Sequence, residues 1–144
     1  MRIEQARAAT PELIIALERL IPQLTSPNPP PARADLQALL DSTSSLLVIG
    51  REPDAGGTII AAGCLGVYRA PTGVRAVIED LVVDETYRGR GIGEALLRYL
   101  LNLAREQGAP GVSLTSNPRR EAANRLYVRA GFSLRQTNSY YCRF

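Results

Sequence analysis

The sequence predicts an α/β (α+β) fold in which a central mixed sheet is covered by helices. Two observations carry that expectation. The runs SLLVIG (45–50), TIIAAGCLGVYR (58–69) and GVRAVIEDLVV (73–83) are β-rich and are punctuated by DAGG and APTG, which reads as an antiparallel meander. The later order of strand, helix, strand, helix and closing strands makes the sheet mixed and places helices against it.

Taken in chain order, Arg2 to Ala6 forms a short first strand. Thr10-Pro11-Glu12 supplies an N-cap with proline at the first helical position, opening a helix to about Leu20. SPNPPP (26–31) is a proline-rich break too short to link domains, and Asp35 to Leu40 is a second short helix. A proline-stiffened stretch between two helices either lines a substrate cleft or is a plain surface loop. After the meander, Gly91 to Gln107 is a long helix. Glu94, Arg98, Asn102 and Arg105 or Glu106 form its narrow polar stripe, while Ile92, Leu96, Leu97, Leu100, Leu101 and Leu103 cover the rest. That pattern predicts burial on most sides, with Gly108 and Pro110 ending the helix. VSLT (112–115) is a short buried strand. Asn117-Pro118 caps a last helix whose apolar stripe is Ala122, Ala123, Leu126, Tyr127 and Ala130, and Gly131 stops it. FSLRQ and SYYCRF are two closing strands. No internal repeat divides the chain, so residues 1–144 read as a single domain.

Composition removes whole classes of function. The chain contains no His, no Trp and no Lys, and all 17 basic residues are arginine. Ser-His and Cys-His nucleophile schemes and the usual zinc constellations are therefore excluded, and no metal is expected. A Walker phosphate loop and Schiff-base chemistry fall with lysine. Any general acid or base must be Asp, Glu, Tyr, Cys or a water they hold. The formal charge of +3 is modest and the arginines are dispersed, which argues against nucleic acid as a partner. No run approaches the ~20 apolar residues of a membrane helix. MRIEQARAATPEL lacks the apolar stretch of a secretory signal, so a cytoplasmic protein with no membrane partner is expected. Cys64 and Cys142 are too few for a disulfide framework and read as reduced core thiols.

The stretch YRGRGIG (87–93) joins a strand to a helix. Backbone N–H groups at a helix N-terminus point outward without partners, and with the helix dipole they make an anion site that suits phosphate. Arg88 and Arg90 would add charge-assisted contacts. The Rossmann fingerprint requires glycine where Glu94 stands, so a dinucleotide reading is weak. A tight turn with solvated arginines is the bland alternative.

Arg88-Gly89-Arg90-Gly91-Ile92-Gly93 resembles the Arg/Gln-x-x-Gly-x-Gly/Ala signature of the GNAT superfamily of acetyl-CoA-dependent N-acetyltransferases. The strand before it, the helix after it and LYVRAGF (126–132) match that family's pattern too, from about Ile59 to Phe132. The resemblance implies the GNAT fold: a twisted, mostly antiparallel sheet of about six to seven strands flanked by about four helices. It implies acetyl-CoA as cofactor, with the turn gripping the pyrophosphate and the backbone of Leu81, Val82 and Val83 pairing with the pantetheine arm. Many relatives carry Asn seven residues before the helix tyrosine, and that position here is Arg120. Asn117 and Asn124 are the nearest amides and are carried as cofactor contacts, Asn124 sharing a helix face with Tyr127.

Acetyl transfer from a thioester to an amine needs a base, because an alkyl ammonium with pKa near ~10 is no nucleophile. The departing thiolate is helped by an acid. The resemblance assigns Tyr127 as that acid, although a tyrosine in an apolar stripe is by position a core residue. Glu79 and Asp80 sit mid-strand, where carboxylates are depleted, and alternation puts them on opposite faces. The resemblance favours Glu79 as the base; an ion pair with Arg75 is the structural alternative. A backbone N–H near Val83 would polarise the thioester carbonyl. Cys64 as an acyl carrier is disfavoured, since buried thiols are usually inert.

The acceptor is not written in the sequence. NSYYCRF looks like the C-terminus of glucosamine-6-phosphate N-acetyltransferases, which also carry a Glu-Asp pair in the corresponding strand. Peptide N-terminal acetylation is the second enzymatic reading, and a non-catalytic acetyl-CoA sensor or interaction module is the reading from another class. Aromatics in SYYCRF at an expected sheet edge suggest a homodimer.

Overall fold

A computed structural model of the chain describes residues 1–24, 28–52 and 57–144. The proline-rich break at 26–31 and the DAGG punctuation at 54–57 lie partly outside the described residues. Chain order runs β1 (Arg2–Gln5), α1 (Pro11–Leu20), a short 3-10 helix (Ile21–Gln23), α2 (Arg33–Asp41), β2 (Ser45–Arg51), β3 (Ile59–Ala70) and β4 (Gly73–Val83). A second 3-10 helix (Glu85–Tyr87), α3 (Ile92–Glu106), β5 (Val112–Ser113) and α4 (Glu121–Arg129) follow.

The described strands form one sheet in the order β1-β2-β3-β4-β5, with three antiparallel pairings and a parallel one between β4 and β5. The meander and the mixed sheet are as the sequence predicts. The strand count is five rather than six or seven. FSLRQ and SYYCRF are not strands: residues 132–144 carry no regular secondary structure, and Leu134, Tyr140, Tyr141 and Phe144 are exposed. A strand needs a neighbour's N–H and C=O groups, and a two-residue β5 offers few. β-rich composition alone does not supply that ladder.

Local chemistry accounts for most element ends. The Thr10 hydroxyl accepts from the Leu13 N–H at 3.2 Å and Pro11 follows it, so α1 starts where the cap dictates. Arg51 on β2 donates to Glu4 of β1 at 2.9 Å and to Glu12 of α1 at 2.5 Å, pinning the first strand and first helix to the meander. Helix α3 matches its expected span to within a residue at each end. It buries Ile92, Leu96, Leu97, Leu100 and Ala104, while Leu101 and Leu103 are half-buried, so it shows one broad apolar face rather than burial on most sides. Helix α4 begins later than Asn117-Pro118 suggests. The Asn117 side chain accepts from the Arg119 N–H at 2.9 Å and closes a turn instead of capping the helix. Gly131, at φ 94, ends α4 as expected.

The sheet separates two apolar layers. Leu13, Leu17 and Leu20 of α1 and Leu36 of α2 pack with Leu47, Ile49, Ile59, Ala62 and Val82 on one face. Leu96, Leu97 and Leu100 of α3 and Tyr127 of α4 pack with Val48, Ile60, Leu65, Ile78 and Leu81 on the other. Leu100, Leu20 and Leu96 are fully buried. Among the described residues no helix is long and apolar enough to cross a membrane.

One irregularity positions the site. The β3–β4 register slips between Ala62 and Cys64: Ala62 pairs with Val82, and Cys64 with Glu79. Two residues of β4, Asp80 and Leu81, thus stand opposite the single Gly63, which is a β-bulge. Asp80 is the extra residue and has φ 51, in the left-handed region. Ile78 and Leu81 consequently face the same helix layer although three positions separate them. Gly63 makes this packing feasible, since a Cβ there would lie 3.0 Å from Leu81 Cδ1 and 3.1 Å from Leu100 Cδ1. The alternation that would send Glu79 and Asp80 to opposite faces is broken at this point, and both are exposed.

Candidate active site

Strand β4 outruns its neighbour. Its parallel pairing with β5 ends at Val77–Ser113, while β4 continues to Val83. The edge of β4 from Leu81 to Val83 therefore lacks a β5 partner, and α4 stands across a cleft from it. Backbone groups alternate in direction along a strand. The Asp84 N–H donates to the Ile60 carbonyl of β3 at 2.9 Å, so the groups of Val83 turn the other way, into the cleft. Their direction is visible in their partners: Val83 O accepts from Arg88 Nε at 3.0 Å, and Leu81 O accepts from Arg120 Nη2 at 3.4 Å. Such an edge can pair with an extended, amide-bearing chain as it would with a strand.

The turn beyond β4 is held from below. Buried Asp84 forms an ion pair with Arg19 of α1. Its Oδ1 accepts from the Thr86 N–H at 3.1 Å and the Thr86 hydroxyl at 2.8 Å, which sets the 3-10 helix. Gln23 Oε1 accepts from the Glu85 N–H at 2.8 Å. The chain then passes through Gly89 and Gly91, at φ 78 and φ 76. A side chain there costs about 1–2 kcal/mol in backbone strain. Gly91 is the N-cap of α3 and no side chain caps that end, so the first N–H groups of the 15-residue helix face outward. A helix start of this kind favours an anion.

The cleft occupies about 720 Å³. Leu81, Val82, Val83, Arg88, Gly89, Gly91, Ile92, Gly93 and Tyr127 all line it, so strand edge, turn and helix tyrosine meet as the sequence suggests. Arg119, Arg120, Arg125 and Arg129 join Arg88 around it against Glu94 and Glu121, which makes its charge positive. The sequence does not mark Arg119, Arg125, Arg129, Gln23 or Tyr87 as site residues, and it marks Arg120 only as standing where many relatives carry Asn. The i, i+4 spacing of Arg125 and Arg129 shows that they share a helix face. Nothing local says that this face meets the turn.

Other expected residues stand elsewhere. Arg90 is not among the lining residues; its guanidinium lies 5.0 Å from the Tyr87 ring centroid, donates to Thr86 O at 3.3 Å and approaches Glu52 at 3.7 Å. Asn124 Nδ2 donates to Asn117 O at 3.0 Å, so both amides build the turn before α4 rather than line the cleft. Glu79 is exposed and also lies outside the lining. Its suggested partner Arg75 is engaged with Thr72 Oγ1 at 2.5 Å and Val74 O at 3.3 Å instead.

Tyr127 is 6% exposed and meets Phe132 edge-on, with centroids 5.9 Å apart. Burial pushes its phenol above the ordinary tyrosine range, and the nearby charge of Arg120 opposes that rise. A phenol kept protonated this way can donate a proton and is a poor base. The Cys64 thiol is pushed up to about 11, first by burial and then by the charges of Asp80 and Glu79. It is protonated at neutral pH and ill-suited to carry an acyl group. Cys142 is exposed, so only Cys64 approaches the core position expected of both.

The sequence pattern of the Acetyltransferase (GNAT) family matches residues 14–132. A probable glucosamine 6-phosphate N-acetyltransferase 2 of Oryza sativa subsp. japonica is 36% identical over 115 residues, covering 77% of this chain and 66% of its own length. Glucosamine 6-phosphate N-acetyltransferase 1 of the same plant is 34% identical, covering 74% and 67%. The chain thus spans about two thirds of the length of these relatives. A solved putative acetyltransferase from Agrobacterium tumefaciens superposes with a TM-score of 0.83 at 21% identity, covering 99% of this chain and all of the other, a likeness of fold. With its family pattern spanning most of its length and its glycine turn set against an open strand edge, the chain belongs to the GNAT acetyltransferase family.

Proposed function

We propose that this protein transfers the acetyl group of acetyl-CoA to a primary amine by direct attack, within one N-acetyltransferase domain. The observation that carries the reading is the unpaired edge of β4 leading straight into the Gly89–Gly91 turn at the start of α3. A pyrophosphate at that turn would send a pantetheine arm along Val83 and Leu81, exchanging amide hydrogen bonds with the edge. The thioester would then end beside Tyr127. Catalysis would be largely positioning: the Val83 N–H polarises the carbonyl, and Tyr127 supplies a proton to the departing sulfur. Glu79, exposed on β4 opposite Cys64, is proposed to take the amine's proton, through water. The pH–rate profile of Glu79→Gln tests that role: the limb on which the amine's proton is lost should change, and an unchanged limb removes Glu79.

For the acceptor we favour an amino-sugar phosphate over a peptide N-terminus. The glucosamine 6-phosphate acetyltransferases among the relatives support it. A thiol-release assay with acetyl-CoA against amino-sugar phosphates, free amino sugars and peptide amines tests it. Turnover with a phosphosugar is expected, and turnover confined to peptides overturns the choice. Acetyl-CoA binding without turnover on any amine would instead favour a sensor. The exposed Tyr140, Tyr141 and Phe144 support a homodimer, which sedimentation tests directly.

A further inference from the structure

Arg120 has no counterpart in the chemistry assigned so far, yet it occupies a distinctive place. The cleft has a direction. Its anion-binding end is the turn at Gly89–Gly91, and from there the edge of β4 runs back through Val83 to Leu81. A linear ligand gripped at the turn therefore brings its far end to Leu81. At that point stand two side chains: Arg120, which donates to the Leu81 carbonyl at 3.4 Å, and Tyr127, whose phenol feels the charge of Arg120. Arg120 is half-buried, lies just ahead of α4, and lines the cleft. Its bond to Leu81 is long, and the Leu81 carbonyl is an acceptor that an incoming amide could also use. Glu121, next in sequence, approaches Arg125 at 3.5 Å, and Arg120 forms no ion pair among the described residues. A cation that is always charged, without an acidic partner, at the end of the cleft where a ligand's terminus arrives, is suited to a group that becomes negative there.

We propose that Arg120 is the counter-ion of the coenzyme A sulfur: its guanidinium rests on the Leu81 carbonyl in the free protein and pairs with the thiolate as the carbon–sulfur bond breaks. The inference rests on the acetyl-CoA reading and assigns a residue to its least stable species. In the step itself, the amine nitrogen bonds to the carbonyl carbon and the carbon–sulfur bond breaks, leaving its electron pair on sulfur. The amine's proton passes to the base and then to solvent. The thiolate is held by Arg120 until it takes the hydroxyl proton of Tyr127, which regains one from solvent, so the products are the amide and the free thiol. Tyr127 alone would have to release its proton in concert with bond breaking, because burial makes its phenolate costly. A fixed cation relaxes that demand.

The test needs no acceptor. Calorimetry would give the affinities of coenzyme A and of its desulfo analogue, in which hydrogen replaces the thiol, between pH 7 and 9.5. Wild-type protein should favour coenzyme A over the analogue increasingly as pH rises, by about tenfold, the ratio produced by lowering the bound thiol's pKa by one unit. Arg120→Met should show no rise in that ratio, whatever its absolute affinity for the two ligands, and Arg120→Lys should restore most of the rise. An equal rise in Arg120→Met overturns the proposal, as does a flat ratio in a wild-type protein that binds both ligands. Failure of wild type to bind either ligand overturns the acetyl-CoA reading along with it. A flat wild-type ratio overturns the proposal even if Arg120→Met does not fold, and Arg120→Gln then serves as the second variant.

Discussion

Gln23, at the end of the 3-10 helix that follows α1, accepts from Arg88 Nη2 at 3.4 Å through the same side-chain oxygen that accepts from the Glu85 N–H. The segment after α1 and the turn before α3 are thereby joined, although 65 positions separate the two side chains. Arg88 is held from two sides, by Gln23 and by the Val83 carbonyl, before any ligand arrives. Gln23→Ala should raise the KM for acetyl-CoA about fivefold, as expected for one lost bond to a charged group, while kcat stays near wild type. Steady-state kinetics at a saturating amine check this, and a fall confined to kcat would count against a positioning role.

The neighbouring tie is structural. Asp84 is 3% exposed and holds both Arg19 and Thr86. Asp84→Ala removes the buried carboxylate of a pair whose Arg19 partner is exposed, together with a cap. The expected loss is about 3 kcal/mol, or a fall in Tm of about 10 °C. Urea unfolding monitored by circular dichroism measures it, and a loss below about 1 kcal/mol would mean that the pair is as weak as an exposed one.

Two glycines in one motif should behave differently. Gly91 has φ 76, and a Cβ there meets nothing within 4 Å, so Gly91→Ala should cost about 1–2 kcal/mol through backbone strain alone. Gly93 lies inside α3 with a right-handed backbone, and a Cβ there would sit 3.4 Å from Leu126 Cδ2. Gly93→Ala should leave thermal stability unchanged or raise it slightly, since alanine is the better helix former. Equal destabilisation by both variants would show that the left-handed cap is not what the motif demands.

Tyr127→Phe keeps the ring against Phe132 and removes only the hydroxyl. Stability should change by less than about 1 kcal/mol, while kcat falls about a hundredfold or more with little change in the KM for acetyl-CoA. The sign of its pH dependence follows from its raised pKa. In the proposed role the acid form is the active one and persists beyond pH ~10, so Tyr127 should cause no loss of rate below that pH. A basic limb near pH 8 that vanished in the phenylalanine variant would contradict the assignment.

What the sequence made legible follows from how local each signal is. Thr10-Pro11 marked the start of α1 because a cap and a proline act within a few residues. The turn at Gly89–Gly91 was legible as a tight strand-to-helix junction because glycines and a helix start are both local signals. The bulge at Asp80 was not, since it depends on Gly63 across the ladder and on Leu100 above it. Losing the bulge is what misdirected the alternation argument for Glu79 and Asp80. The arginines of α4 were missed for the same reason: their face meets the turn only through tertiary packing. FSLRQ and SYYCRF have strand composition, but composition cannot supply the missing partner edge.

In the proposed function the open edge of β4 and the glycine turn together hold coenzyme A. A crystal structure of the protein with coenzyme A measures this most directly. The pyrophosphate is expected within hydrogen-bond distance of the backbone N–H groups at Gly89–Gly93, the pantetheine arm paired with Leu81 and Val83, and the sulfur beside Tyr127. Coenzyme A seated elsewhere on the protein, with that edge and turn empty, would contradict it.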